Sequence, residues 1–278
     1  MPERIDLAYC MKLPPKEAVA YLQAKGYALS WDWEEVWQEA QAKAFTVAKV
    51  ARLDILQDIR DAVETSLKEG KTSAWFEKEL TPVLRAKGWW GKRETIDQGT
   101  GEIASVQLGS PWRLETIYRT NLQTAYMAGR YAEQMANVDD RPYWQYVAVL
   151  DTRTRPSHRA LNGKVFRYDD PFWKSFYPPN GWRCRCRVTT LSEGNLQRSG
   201  LRVESSEGKL GSVLKLVSQK TGELREVATY RTADPVTRRP LVIAPAVGWS
   251  YNPGAAAWQP DRARYTGDLA ALAKRELP

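Results

Sequence analysis

The chain has 278 residues, 43% of them hydrophobic and 27% charged, which excludes a disordered polymer and leaves room for one large core or two ordinary ones. Lys and Arg outnumber Asp and Glu by 41 to 33, a net charge of +8 that suits contact with polyanions without requiring it. No apolar run approaches the roughly 20 residues that span a bilayer, and no apolar stretch follows the first charges, so a protein made and used in a cytosol-like compartment is expected.

Residues 1–109 read as a helical region. LPPKEAVAYLQAKG (13–26) puts proline in a first helical turn and glycine after the last. SWDWEEVWQEAQAKAFTVAKV (30–50) predicts a second helix, with Ser30 as its cap and a Glu-rich first turn. Leu56, Ile59, Val63 and Leu67 recur at three- and four-residue steps, a third helix that stops before Gly70. TSAWFEKELTPVLRAKG (72–88) predicts a fourth, broken or kinked at Pro82. Residues 89–109, with several glycines and no period, read as an exposed loop or hairpin-like excursion with Trp89 and Trp90 as a contact element.

Ser110-Pro111 then opens a long helix that runs to Asn137. Val, Tyr and Trp predict a strand from Tyr143 to Leu150, Asn162-Gly163 a two-residue turn, and CRCRVTTLS (184–192) a short strand. KLVSQKTGELREVATY (215–230) reads as a hairpin about KTGE. The tail from Trp249 is expected to lie over a surface without regular structure, apart from a short helix at Asp268 to Arg275. The expected class is α+β: a helical N-terminal region (1–109), then a small mixed or antiparallel sheet domain preceded by a long helix (110–192), then a C-terminal hairpin and extended tail (193–278).

The only histidine is His158, which excludes His-rich metal sites, and no nucleophile elbow, G-x-G-x-x-G or P-loop occurs. Three cysteines cannot make a disulfide framework: Cys10 stands alone, and Cys184 and Cys186 lie two apart. That offset puts both thiols on one face of an extended segment and leaves Arg183, Arg185 and Arg187 on the other. His158, Cys184 and Cys186 are three of the four donors of a zinc site, with Asp151 or a water as the fourth. The alternative is buried thiols that pack as small apolar groups beside a locally bonded histidine, so zinc is the only cofactor to weigh against none. C-x-C is not the spacing of a redox pair. Asp151, Asp169 and Asp170 could gather to hold Mg²⁺ for phosphodiester chemistry, or serve as turn and cap residues.

Residues 151–187 hold nine Lys and Arg against three Asp, +6 of the net charge. Arg153, Arg155, Arg183, Arg185 and Arg187 are therefore the candidate polyanion or partner surface, unless Asp151 takes some of them into internal ion pairs. Pro179, Gly181 and Trp182 are assigned to shaping and packing the corner. Twelve Trp and thirteen Tyr against five Phe fit either interfaces or ordinary cores.

VLDTRTRPSHRALNGKVF (149–166), DDPFW (169–173) and YPPNGWRCRC (177–186), preceded by IYRTNLQTAYMAGRY (117–131) and followed by GWSYNPG (248–254), resemble the signature block of the phage Mu F-like family. These are minor head, or head morphogenesis, proteins of tailed bacteriophages, and the resemblance covers residues 110–260. It implies a structural protein of procapsid assembly rather than an enzyme. It further implies a place in the virion near the portal vertex after assembly in the host cytoplasm, with portal, scaffold or major capsid protein and double-stranded DNA as partners and no membrane. Many relatives carry D-x-R-T-C-x-x-C and a histidine before the CRC; here Arg155 and His158 stand at the two cysteine positions and Gly181 replaces that histidine. The ligand set implied by the family is thus only partly kept. The competing readings are a nucleic-acid- or protein-modifying enzyme using Asp151, His158 and an arginine, and a zinc-stabilised binding module.

Overall fold

The computed structural model describes residues 15–96 and 103–258. Helix α1 (Lys16–Ala24) buries Ala18, Tyr21 and Leu22, and α3 (Leu53–Glu69) buries Leu56, Ile59, Val63 and Leu67 before it ends at Gly70. That glycine takes a left-handed φ of 64°, open to residues without a side chain, and satisfies the usual geometry of a helix C-terminus.

Between these helices the expected helix from Ser30 does not form. The chain makes a 3-10 turn at Trp33–Glu35 and a four-residue α2 (Ala40–Lys43), and strand β1 (Gly26–Tyr27) pairs in parallel with β2 (Ala44–Phe45). Ser30 is no cap: its hydroxyl meets Thr46 Oγ1 at 2.6 Å and its backbone bridges Val50. Phe45 and Val47 are buried two residues apart, the period of extended chain, and Val50 closes the run.

Helix α4 (Ser73–Ala86) is capped by Thr72, which accepts from Trp75 N at 3.3 Å. It runs through Pro82 unbroken, against expectation, because that ring is exposed while Leu80 and Leu84 hold the opposite face in the core. Strands β3 (Lys92–Ile96) and β4 (Ile103–Gln107) form an antiparallel pair, the hairpin-like excursion expected there; its GTG turn lies outside the described residues. Trp89 is not a contact element: it is buried, and its indole N–H donates to Lys49 O at 2.7 Å. Trp90 packs half-buried on the same core beneath Arg85.

Ser110 caps α5 (Pro111–Met135) by accepting from Arg113 N, and the helix stops two residues before Asn137. It is the spine of the molecule. Leu114, Ala125 and Ala128 join a first core with Phe45, Leu56 and Phe76, whereas Met127 joins a second. The second core is built on a mixed four-stranded sheet in the order β7-β5-β6-β8, formed by β5 (Tyr143–Val147), β6 (Val165–Arg167), β7 (Arg187–Leu191) and β8 (Val203–Glu204). Only the β6–β8 pair is parallel. Strand β5 ends three residues short of Leu150, where Asn162 Oδ1 accepts from Ala148 N at 2.9 Å. The Asn162-Gly163 turn accordingly joins a helix, α6 (Pro156–Leu161), to β6 rather than two strands.

Helix α7 (Phe172–Phe176) lays Phe172 and Trp173 beside Trp144, Phe166 and Tyr177 in this core, so these aromatics fill an interior rather than an interface. A short α8 (Glu193–Ser199) follows β7. The expected hairpin is present as β9 (Leu210–Ser218) and β10 (Glu223–Ala233), extended by β11 (Pro240–Ile243), and Tyr230 packs into the second core.

The tail from Trp249 is not a surface strap. Trp249, Tyr251 and Ala256 belong to the first core, and α9 (Pro253–Trp258) starts at an Asn-Pro pair in which Asn252 Oδ1 accepts from Gly254 N and Ala255 N. The helix expected at 268–275 lies outside the described residues. The α+β class stands, and among the described residues no helix is long and apolar enough to cross a membrane.

Candidate functional site

The segment Tyr177–Arg187 is a corner pinned on three sides. Tyr177 donates its hydroxyl hydrogen to Gln134 Oε1 on α5 at 2.8 Å. Asn180, almost fully buried, accepts from the Tyr146 hydroxyl of β5 at 3.0 Å, and its carbonyl accepts from Ala246 N at 3.0 Å. The Pro178–Pro179 bond is cis, and a Cβ on Gly181 would sit 3.1 Å from Ala246 Cβ and 3.3 Å from the Arg155 guanidinium. Arg183 takes a left-handed φ of 57°, and Cys184 N then closes a turn on Gly181 O. The cysteines therefore lie in the turn before β7, not within the strand as expected.

Both thiols point inward and are free. His158, buried on α6, brings Nδ1 to 3.3 Å from Cys186 Sγ and 3.7 Å from Cys184 Sγ. Gln123 on α5 donates to Cys186 O at 2.8 Å and so fixes the backbone beneath the thiol. The Cys186 hydrogen bond, aided by His158, holds the Cys184 thiol well below its ordinary pKa, and the same bond together with burial pushes Cys186 up.

The arginines are arranged by carboxylates. Asp151, in the turn after β5, takes Arg185 in a two-pronged pair at 2.7 Å for each oxygen and also accepts from Arg153 N at 3.0 Å. Arg185 is the main cause that holds the Asp151 carboxyl well below the usual carboxylate range. Glu115 on α5 pairs with Arg183 at 2.7 Å and with Arg119 at 2.8 Å. Arg155 donates to Trp182 O at 2.6 Å.

These contacts gather Arg153, Arg155, Arg183 and Arg185 around one open depression of about 700 Å³, which Trp112, Glu115, Arg119 and Trp182 complete. Arg187, the first residue of β7, does not line it. Against it lies a more apolar cleft of about 380 Å³ that shares Trp112 and Trp182 and adds Trp33, Val47 and Ile117. Trp112 is 63% exposed, and Trp182, edge-on to Trp249 at 5.1 Å, is 39% exposed.

The three aspartates do not gather. Asp169 pairs with Arg167, while Asp170 caps Phe172 N at 2.9 Å and accepts from Ser206 N at 3.1 Å. Among the described residues the one cluster with metal-ligand chemistry is His158, Cys184 and Cys186, whose donor atoms lie within 4.8 Å of one another. Asp151 is committed to Arg185 and stands outside that cluster, so it is not a fourth ligand. Sequence reasoning missed Trp112, Glu115 and Arg119, because on α5 the only visible signal is a helical period, and missed Asn180 within its turn-like PPNG setting.

A family model described as Phage Mu protein F like protein matches residues 57–189. The putative capsid assembly protein F of Escherichia phage Mu is 49% identical over 267 residues, 95% of this chain and 60% of that protein. The Mu-like prophage FluMu F protein of Haemophilus influenzae is 46% identical over 84% of this chain and 55% of its own length. The minor head protein GP7 of Bacillus phage SPP1 is 32% identical over 126 residues, 40% of this chain and 39% of that protein. The chain thus spans 60% or less of these relatives. No solved structure matches it.

Proposed function

We propose that the chain, which matches the phage Mu F-like family model over residues 57–189, acts in tailed-phage head assembly as a minor head protein that docks an acidic protein partner in the arginine–tryptophan depression. The printed names of two relatives, a putative capsid assembly protein and a minor head protein, support the assembly role. On this reading the chain works in the virion at the portal vertex, beside portal, scaffold or major capsid protein, and no catalytic step is required of it.

The observation that carries the docking surface is the juxtaposition of two exposed tryptophans with five arginines on one open face. Exposed Arg and Trp are the residue types that dominate binding energy at protein interfaces. Among the described residues, five arginines (Arg119, Arg153, Arg155, Arg183 and Arg185) and one carboxylate, Glu115, line the depression, and Asp151 pairs with Arg185 beside it, so five cations against two anions leave it at +3. Those internal pairs are partly exposed and screened by solvent, so a partner's carboxylates can exchange with them at little cost while the arginines stay positioned. The adjoining apolar cleft favours a protein over duplex DNA, whose backbone offers nothing to fill it.

Purified chain carrying Trp112→Ala with Arg153→Glu, both exposed positions, is expected to keep its circular dichroism and lose binding to head proteins of the cognate phage. Undiminished binding overturns the docking surface. Loss of salt-dependent retention on duplex DNA, with protein binding intact, assigns the face to DNA instead.

A further inference from the structure

We propose that His158, Cys184 and Cys186 form a binding site for a thiophilic tetrahedral cation, zinc above all, with one water as the fourth ligand. The inference is independent of the assembly reading and goes beyond it.

The first observation is convergence. Two thiols from one turn and an imidazole from another element bring their donor atoms within 4.8 Å of one another, and all three side chains are buried. Zinc–sulfur bonds of about 2.3 Å and zinc–nitrogen bonds of about 2.0–2.1 Å at tetrahedral angles place N and S about 3.6 Å apart. The two measured separations from His158 Nδ1, 3.3 and 3.7 Å, bracket that value. Hydrogen bonding alone satisfies the cluster less well: two S–H groups share one imidazole acceptor, so one thiol must settle for the weak acceptor of its neighbour's sulfur. A single cation takes all three lone pairs.

The second observation is space. A cavity of about 20 Å³ adjoins all three donors, lined also by Val149 and Thr154. That is enough for about one water and too little for a larger ligand. No carboxylate competes for the position, because Asp151 is held by Arg185.

The third is charge. Arg153, Arg155, Arg183 and Arg185 surround the same cavity. They disfavour a bare divalent ion but favour the thiolates that would hold it, and two thiolates with one divalent cation are neutral. Hard cations such as Mg²⁺ and Ca²⁺ have no oxygen cage here; thiolate and imidazole select zinc. Bound there, the ion would tie α6 to the corner that carries Arg183 and Arg185.

The test uses the full chain, purified in reductant without chelator. Metal analysis should find about one zinc per chain, as expected for a site with three protein donors. Cobalt(II) replacement should give thiolate-to-cobalt charge transfer and the intense visible bands of a tetrahedral site. These bands should vanish in Cys186→Ser and in His158→Gln and survive in Cys10→Ser. A folded wild-type chain that retains no zinc and gives no such bands overturns the proposal, as do bands that persist in Cys186→Ser or disappear in Cys10→Ser. Should the site variants fail to fold, the wild-type chain still decides: added zinc should raise its melting temperature by several degrees and chelator should reverse the gain, whereas an unchanged melting temperature refutes the site.

Discussion

Truncating Phe172 to alanine probes the packing on which the corner rests. The Phe172 ring is fully buried, stacked between Phe166 (4.3 Å, 20°) and Phe176 (4.9 Å, 10°), with the edges of Trp173 and Tyr230 at 5.1 Å. Removing a buried phenyl ring costs about 3–5 kcal/mol, more where the neighbours cannot collapse into the hole. These neighbours are fixed by their own contacts: Trp173 donates to Arg167 O at 3.0 Å, and Tyr230 stacks edge-on to Phe166 at 6.0 Å. The expected loss is therefore ~4–5 kcal/mol, about a quarter or more of the ~5–15 kcal/mol that holds a typical domain. Urea unfolding of parent and variant, followed by tryptophan fluorescence and far-UV circular dichroism, measures it. Because α5 contributes Leu114 and Ala125 to one core and Met127 to the other, both signals should shift together. A loss below ~2 kcal/mol, or a shift in one signal alone, refutes the packing argument.

Burial, and then the charge of Arg60, lowers the Lys25 pKa from 10.5 to about 7. The unfolded chain binds the extra proton between those values, so native stability should rise with pH across that window. Lys25→Met should stabilise the chain below about pH 7 by up to ~5 kcal/mol, less what the Tyr21 ring 5.1 Å from the ammonium returns, and the gain should fade toward pH 10.5; parallel pH profiles of the two proteins contradict this. Asp151 has a depressed folded pKa, so its contribution is present above the unfolded value of about 3.9 and is lost as pH falls below it. Asp151→Asn should flatten the acid limb of stability below about pH 4, and acid limbs of equal slope argue against the pair with Arg185. In Gly254→Ala the new Cβ would lie 2.4 Å from Tyr131 Cβ, and Tyr131 is held edge-on by Trp144 and Tyr177. A loss of ~1–3 kcal/mol or more is expected by thermal unfolding, and an unchanged melting point would mean that α9 is not seated on α5.

The elements legible in the sequence are those whose periodic stripe and end signals agree. The Leu56–Leu67 stripe stops at Gly70, and Ser110-Pro111 both starts and caps α5. Residues 30–50 misled because charge-rich composition imitates a helix start, while Phe45 and Val47 were already spaced for extended chain. The tail misled for the opposite reason: Asn-Pro-Gly is a turn signal by composition, but here asparagine caps a helix and glycine permits its close approach to Tyr131. Within the site, the two-residue spacing of Cys184 and Cys186 indicates a shared face, and the fold brings that face to His158. The counter-charges of the arginines were illegible. Glu115 pairs with Arg183 across 68 residues, and no local pattern encodes such a contact. The family match also begins at residue 57, inside a helical region where only core periodicity is visible.

Quantifying the chain in purified phage heads tests the assembly role and its docking face together. With the parent chain and the Trp112→Ala, Arg153→Glu variant expressed at equal levels beside the other head proteins, mass spectrometry of the particles should find the parent in heads and the folded variant strongly depleted. The variant incorporated at the parent's level would contradict the docking face, and a parent chain absent from heads would contradict the assembly role itself.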